Sequence, residues 1–118
     1  MKLNIKCLRD ILTFVEENAV YDKWAEYYSS EPVPRLFEPY SHQELVYHIR
    51  QCRSAGFFTL IEESDSYDYL IEDLSLSGRE FLAKIRSDKV YKKIISKAWD
   101  SLPSLLEALA LIPSVFPK

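Results

Sequence analysis

Residues 40–74, YSHQELVYHIRQCRSAGFFTLIEESDSYDYLIEDL, decide the fold, because a helical period gives way there to two short aromatic runs separated by a polar tip. Ser41 is an N-cap residue with Tyr40 before it and Leu45 after it, the pattern of a hydrophobic staple, and Glu44 completes a capping box. Leu45, Ile49 and Cys52 then recur on one face, and Gly56, with Phe57 following, supplies the left-handed position at which such a helix stops. The spacing predicts a helix over 42–55. Residues 57–62 and 68–74 are rich in Phe, Tyr, Ile and Leu, and Glu63-Ser64-Asp65-Ser66 between them reads as the tip of a β-hairpin. A helix laid against a two-stranded antiparallel ribbon is the expected centre of an α+β, winged-helix-like domain, with the hairpin as its wing.

Working outward, two further helix starts repeat the same local design. Asn4 caps a helix over 5–18 with Leu3 stapling Leu8, and Leu8, Ile11, Leu12 and Val15 form its buried face. Ser77 is expected to cap a third helix, with Leu76 stapling Phe81 and Glu80 closing a capping box. Ser87-Asp88 marks a break before another helix carrying Val90, Tyr91, Ile94, Ile95 and Ala98. Pro103 fits the first turn of a last, short helix in which Leu102, Leu105, Leu106, Leu109 and Ile112 make a broad apolar stripe. Between the first two helices, residues 20–40 carry Pro32, Pro34 and Pro39 and read as an irregular connection, with Arg35 to Phe37 as a short edge strand.

All 118 residues are expected to form a single domain of this kind, large enough to bury roughly two-thirds of the surface its unfolded chain exposes. Residues 102–116 form its apolar C-terminal segment, too short and too proline-broken for a bilayer that requires about 20 apolar residues, so no membrane contact is expected. That segment is also compatible with a homodimer. Met1 to Arg9 show neither a continuous apolar core nor a small-residue cleavage site, so no secretory signal is expected, which favours the cytoplasm. Cys7 and Cys52 fall on apolar helix faces and read as buried reduced thiols. Only two glycines occur, so a phosphate-cradling glycine loop is excluded. The net charge of −3 gives no global attraction to nucleic acid, and any such contact must come from a local patch.

The order of these elements, with Met1-Lys2-Leu3-Asn4, Arg9-Asp10-Ile11-Leu12, the Tyr40-Ser41 helix start, Tyr47-His48, Ser54-Ala55-Gly56, Leu74-Ser75-Leu76-Ser77-Gly78 followed by Phe81-Leu82, and Ile85-Arg86 before Val90-Tyr91, resembles domain-of-unknown-function family 2513 over most of residues 1–95. The resemblance implies a winged-helix-like fold in a bacterial cell or phage-infected host, in the manner of a phage or prophage protein, and implies no established activity. The aromatic, proline-containing stretch from Val20 to Phe37 and the acidic hairpin depart from that pattern.

Three surfaces carry candidate function. Gln43, Tyr47, Arg50 and Ser54, with Gln51 beside them, lie opposite Leu45 and Cys52, where a recognition helix would present its reading face. Gln and Arg suit base edges, and Tyr and Ser suit phosphates, although such a stripe also reads as a solvated helix face. Seven basic residues, Arg79, Lys84, Arg86, Lys89, Lys92, Lys93 and Lys97, stand against only Glu80 and Asp88; Lys89, Lys92 and Lys93 are the candidate phosphate contacts, although such lysines also read as the solvated face of an amphipathic helix. The hairpin carries six carboxylates within twelve residues, which read as a solvated acidic tip or, at Glu62, Glu63, Asp65 and Asp68, as a docking surface for a basic protein partner rather than for DNA. His48 and Cys52 give two potential metal ligands where zinc uses three or four, so no metal and no cofactor are expected; His48 reads as a hydrogen-bonded structural histidine and His42 as exposed. Neither histidine comes with a nucleophile motif, and a non-enzymatic binding protein is expected: a nucleic-acid-binding regulator first, an inhibitor or adaptor of a host protein second.

Overall fold

The computed structural model describes residues 1–111. Its elements run α1 (Ile5–Asn18), β1 (Ala25–Tyr27), a 3-10 turn (Arg35–Phe37), α2 (His42–Ser54), β2 (Ile61–Glu63), β3 (Tyr69–Ile71), α3 (Leu76–Arg86), α4 (Asp88–Ile95) and α5 (Leu102–Ala110). This is an α+β architecture in which five helices pack on a small antiparallel sheet. Helix α1 is central: it packs on α2, α3, β1 and the 3-10 turn.

The first two helices follow their local signals. Asn4 accepts a bond from the Cys7 N–H at 3.2 Å, satisfying a donor left free at the start of α1, and Ser41 Oγ does the same for Glu44 at 3.1 Å. Gly56 ends α2 at φ 75, with the Phe57 N–H returning to the Cys52 carbonyl and the Gly56 N–H to the Arg53 carbonyl, each at 3.0 Å. These paired bonds form a Schellman motif. The Glu44 carboxylate does not close a capping box; it accepts from the Asn4 side-chain amide at 3.3 Å and so ties the start of α2 to the start of α1.

The sheet departs from the expected ribbon. It has three strands in the order β1-β3-β2, and its central strand, β3, pairs Tyr69 with Tyr27 on one side and with Glu63 on the other. The third strand comes from the segment read as a connection. Ala25 and Tyr27 are buried and Glu26 points out, the alternation of a strand with one wet face. Arg35–Phe37 is a 3-10 turn, not a strand: the Phe37 N–H bonds the Pro34 carbonyl at 2.9 Å, and Phe37 enters the core 4.8 Å from the Phe14 ring and 5.7 Å from Tyr27. Residues 20–40 therefore supply a strand and three core side chains.

Helix α3 starts earlier than expected. Ser75, not Ser77, is its N-cap, with Oγ accepting from Gly78 N–H at 3.1 Å. Leu76 is 75% exposed and staples nothing. Ser77 instead donates to the Gly56 carbonyl at 3.1 Å, and the Glu80 side chain makes no hydrogen bond among the described residues. Helix α4 buries Val90 and Ile94 and ends before Ala98; the chain then returns to the N-terminus, where Leu3 N–H bonds the Trp99 carbonyl at 3.0 Å. Helix α5, capped by Ser101 with Pro103 in its first turn, turns Leu102, Leu105 and Leu109 fully inward. Its described apolar stripe is thus spent within the domain, while Ile112 and the remainder of the 102–116 segment lie outside the described residues. Cys7 and Cys52 are free and have no solvent exposure, and burial pushes both thiols up.

Candidate nucleic-acid interface

Helix α2 faces two ways. Leu45, His48, Ile49 and Cys52 point into the core, and the opposite side carries the residues read as a recognition surface. His48 sets the helix on α1: its Nδ1 bonds the Glu44 carbonyl at 2.7 Å while its Nε2 accepts from the Asn4 backbone N–H at 2.8 Å. Accepting at Nε2 requires the neutral ring with its proton on Nδ1. Burial lowers the His48 pKa and favours that neutral form.

The outer residues of α2 divide between two clefts. Gln43, Tyr47 and Arg50, with His42 and Val46, face the hairpin tip at Tyr67 across a cleft of about 420 Å³. Gln51 and Ser54 border a second cleft, about 400 Å³, whose other wall is Ser101, Pro103 and Leu106 of the α5 start. The stripe seen in the sequence is real as a surface, but α5 flanks its C-terminal half. His42 is half-buried rather than exposed, with Nδ1 hydrogen-bonded to the Tyr27 hydroxyl at 2.6 Å.

Arg50 is not a free cation. Its Nε and one terminal nitrogen each donate to Glu63 of β2 at 3.0 Å, a bidentate pair in which the Arg50 side chain is 49% exposed and that of Glu63 22%. The Tyr69 hydroxyl also donates to Glu63. Arg50, then Tyr69, holds the Glu63 carboxyl below its usual range, and burial first, then Glu63, pushes the Tyr69 hydroxyl up to about 12. The acidic hairpin is similarly split: Asp68 accepts from the Ser29 backbone N–H at 2.8 Å and hydroxyl at 2.9 Å, which lower its pKa, whereas Glu62 and Asp65 are exposed and make no ion pair among the described residues. These non-local partners were invisible in the sequence because each pair joins different elements.

Lys89, Lys92 and Lys93 are all exposed on α4, which packs on α3. No hydrogen bond or ion pair among the described residues joins them to the α2 face. The stacking partner missed in the sequence is Tyr67, whose ring lies 5.3 Å from the Arg50 guanidinium carbon. The described residues hold no group of three or more His, Cys, Asp and Glu placed to bind a metal, and no helix among them is long and apolar enough to cross a membrane.

Fold and surface together define a small α+β domain with an outward helix beside an acidic hairpin. The chain belongs to a family of hypothetical proteins, DUF2513, which it matches over residues 2–101. No curated protein and no solved structure matches it.

Proposed function

We propose that the chain is a non-enzymatic, cytoplasmic winged-helix protein of a bacterial or phage setting, a regulator that binds nucleic acid through α2. The observation that carries this reading is topological. Helix, strand, helical turn, helix and hairpin follow one another with strand order β1-β3-β2, which leaves the N-terminal half of the outer face of α2 open beside the hairpin. In a winged helix that position belongs to the recognition helix, and the hairpin is the wing. Gln43, Tyr47 and Arg50 offer hydrogen bonds and stacking from that face, and Lys89, Lys92 and Lys93 supply phosphate-neutralising charge that Asp88 and Glu80 do not cancel.

The test is a fluorescence titration with random duplex and single-stranded DNA at low and moderate salt. Binding should weaken steeply with salt, and the Arg50→Ala, Lys92→Ala, Lys93→Ala variant should bind less tightly with a flatter salt slope. Unchanged binding by that variant removes the assigned surface.

A second reading is favoured by Glu62 and Asp65, two exposed carboxylates at the hairpin that lack internal partners among the described residues. They suit a basic patch on a protein, in the manner of an inhibitor or adaptor. Under this reading a stable partner complex is lost in Glu62→Gln, Asp65→Asn, and DNA affinity is negligible even at low salt.

A further inference from the structure

The cleft between α2 and the hairpin combines three features. The first is conformational. Tyr67 N–H bonds the Ser64 carbonyl and Ser64 N–H bonds the Asp68 carbonyl, both at 3.0 Å, and the turn is closed by Tyr67 at φ 61. Hairpins give that left-handed position to glycine or asparagine, because a Cβ crowds the following carbonyl. A tyrosine occupies it here and remains 46% exposed, so core burial does not offset the strain. Its ring is held over α2 instead, against the Arg50 guanidinium.

The second feature is electrostatic. The Arg50 guanidinium is charge-balanced by Glu63 and its plane is fixed by two bonds of 3.0 Å, so a phosphate gains little from it. The third is the lining. His42, Gln43, Val46, Tyr47, Arg50 and Tyr67 line an open cleft of about 420 Å³, within the roughly 300–1,000 Å³ of small-molecule sites. Two phenol rings, a fixed guanidinium plane and one amide suit a flat, uncharged ring with a hydrogen-bonding edge.

We propose that this cleft takes one unpaired nucleobase, stacked against Tyr67 and the Arg50 plane with its edge read by Gln43. Bases free of a partner are recognised in this way, on aromatic rings and guanidinium planes with amides at their edges, whereas a paired base inside a duplex has no face to offer. The proposal rests on the reading of α2 as a nucleic-acid face and narrows its target to a single-stranded, looped or bulged site. The nearby Glu62 and Asp65 agree with it: they oppose a second phosphate strand running over the tip but not an uncharged base.

The test uses the full chain with three probes: a short single strand containing the fluorescent base 2-aminopurine, the same strand in a closed duplex, and free 2-aminopurine riboside. The single strand should bind best, with a change in 2-aminopurine emission. Tyr67→Gly keeps the left-handed turn and removes the ring, and should weaken binding about tenfold or more while thermal stability holds or rises; Tyr67→Phe should retain binding. A strand that binds with unchanged emission, or with full affinity in Tyr67→Gly, overturns the base cleft and leaves the nucleic-acid reading standing. Tyr67-dependent binding of the riboside without binding of any strand keeps the base assignment, its source then being a free nucleoside, and overturns the nucleic-acid reading. Failure of all three probes overturns both.

Discussion

His48 is buried without solvent exposure and uses both ring nitrogens, donating to the Glu44 carbonyl and accepting from Asn4 N–H, so protonation must break the second bond and leave a charge in the core. Burial lowers its folded pKa below the roughly 6.5 of an unfolded histidine. The unfolded chain then takes up the proton first, and stability, full above about pH 6.5, falls as the pH drops through and below that value. Urea unfolding at pH 7.5 and 5.5 should show this loss, above the pH range where Glu63 and Asp68 exchange protons, and the loss should shrink in His48→Gln. That variant should also be less stable at pH 7.5, by about 1–3 kcal/mol for a buried bond left unmade. Gly78 makes an opposite kind of demand. Alanine normally gains about 1 kcal/mol over glycine inside a helix, but a Cβ on Gly78 would collide with the Phe57 carbonyl, which also accepts from Ser75 N–H at 2.8 Å. Gly78→Ala should therefore lower the melting temperature, whereas an unchanged or higher value would mean that the approach of α3 to Phe57 is not close.

Helix ends follow the same accounting of backbone donors, and it separates two serines that look equivalent in the sequence. Ser75 Oγ accepts from Gly78 N–H and donates to the Gly56 carbonyl at 2.6 Å, so Ser75→Ala loses the cap of α3 and its tie to the end of α2. A loss of about 1 kcal/mol is expected, against a smaller one for Ser77→Ala, in chemical denaturation. The sequence pointed to Ser77 because Leu76 and Phe81 have staple spacing; Leu76 faces solvent, a tertiary fact that spacing does not carry. By contrast α1, α2 and the break at Ser87 were legible, since cap, apolar face and stop signal are all local. Strand β1 was not: its three residues form a strand only because Tyr69 and Ile71 of β3 pair with Tyr27 and Ala25, more than forty positions away. The candidate interface divides in the same way. The outer stripe of α2 could be read from helical period alone, while the Arg50–Glu63 pair depends on docking and the role of Tyr67 on a left-handed turn that no residue type there advertises.

At the scale of the whole molecule, the family match ends at residue 101 and α5 begins at residue 102. Helix α5 is nonetheless part of the same core. Leu102, Leu105 and Leu109 are each at most 2% exposed, and α5 borders both α2, through Leu106 and Pro103 beside Gln51 and Ser54, and α3, through Leu109 beside Phe81. Removing it would forfeit the burial of three leucines and uncover the apolar surface they cover. At about 1.5–3 kcal/mol per buried leucine, the loss is on the order of 5 kcal/mol. A domain of this size is stable by only about 5–15 kcal/mol, so that loss takes a third or more of its margin. A chain truncated after Asp100 should unfold at a much lower denaturant concentration, or lose its cooperative transition, with the tryptophan emission of Trp24 and Trp99 shifted towards that of the unfolded state. If the truncated chain instead melts like the intact one, α5 is an appendage whose leucines add little to the core. A monomer–dimer equilibrium assigned to residues 102–116 has to be tested without that truncation, by light scattering of the intact chain over a range of concentrations, because deleting α5 changes the fold before it changes any interface.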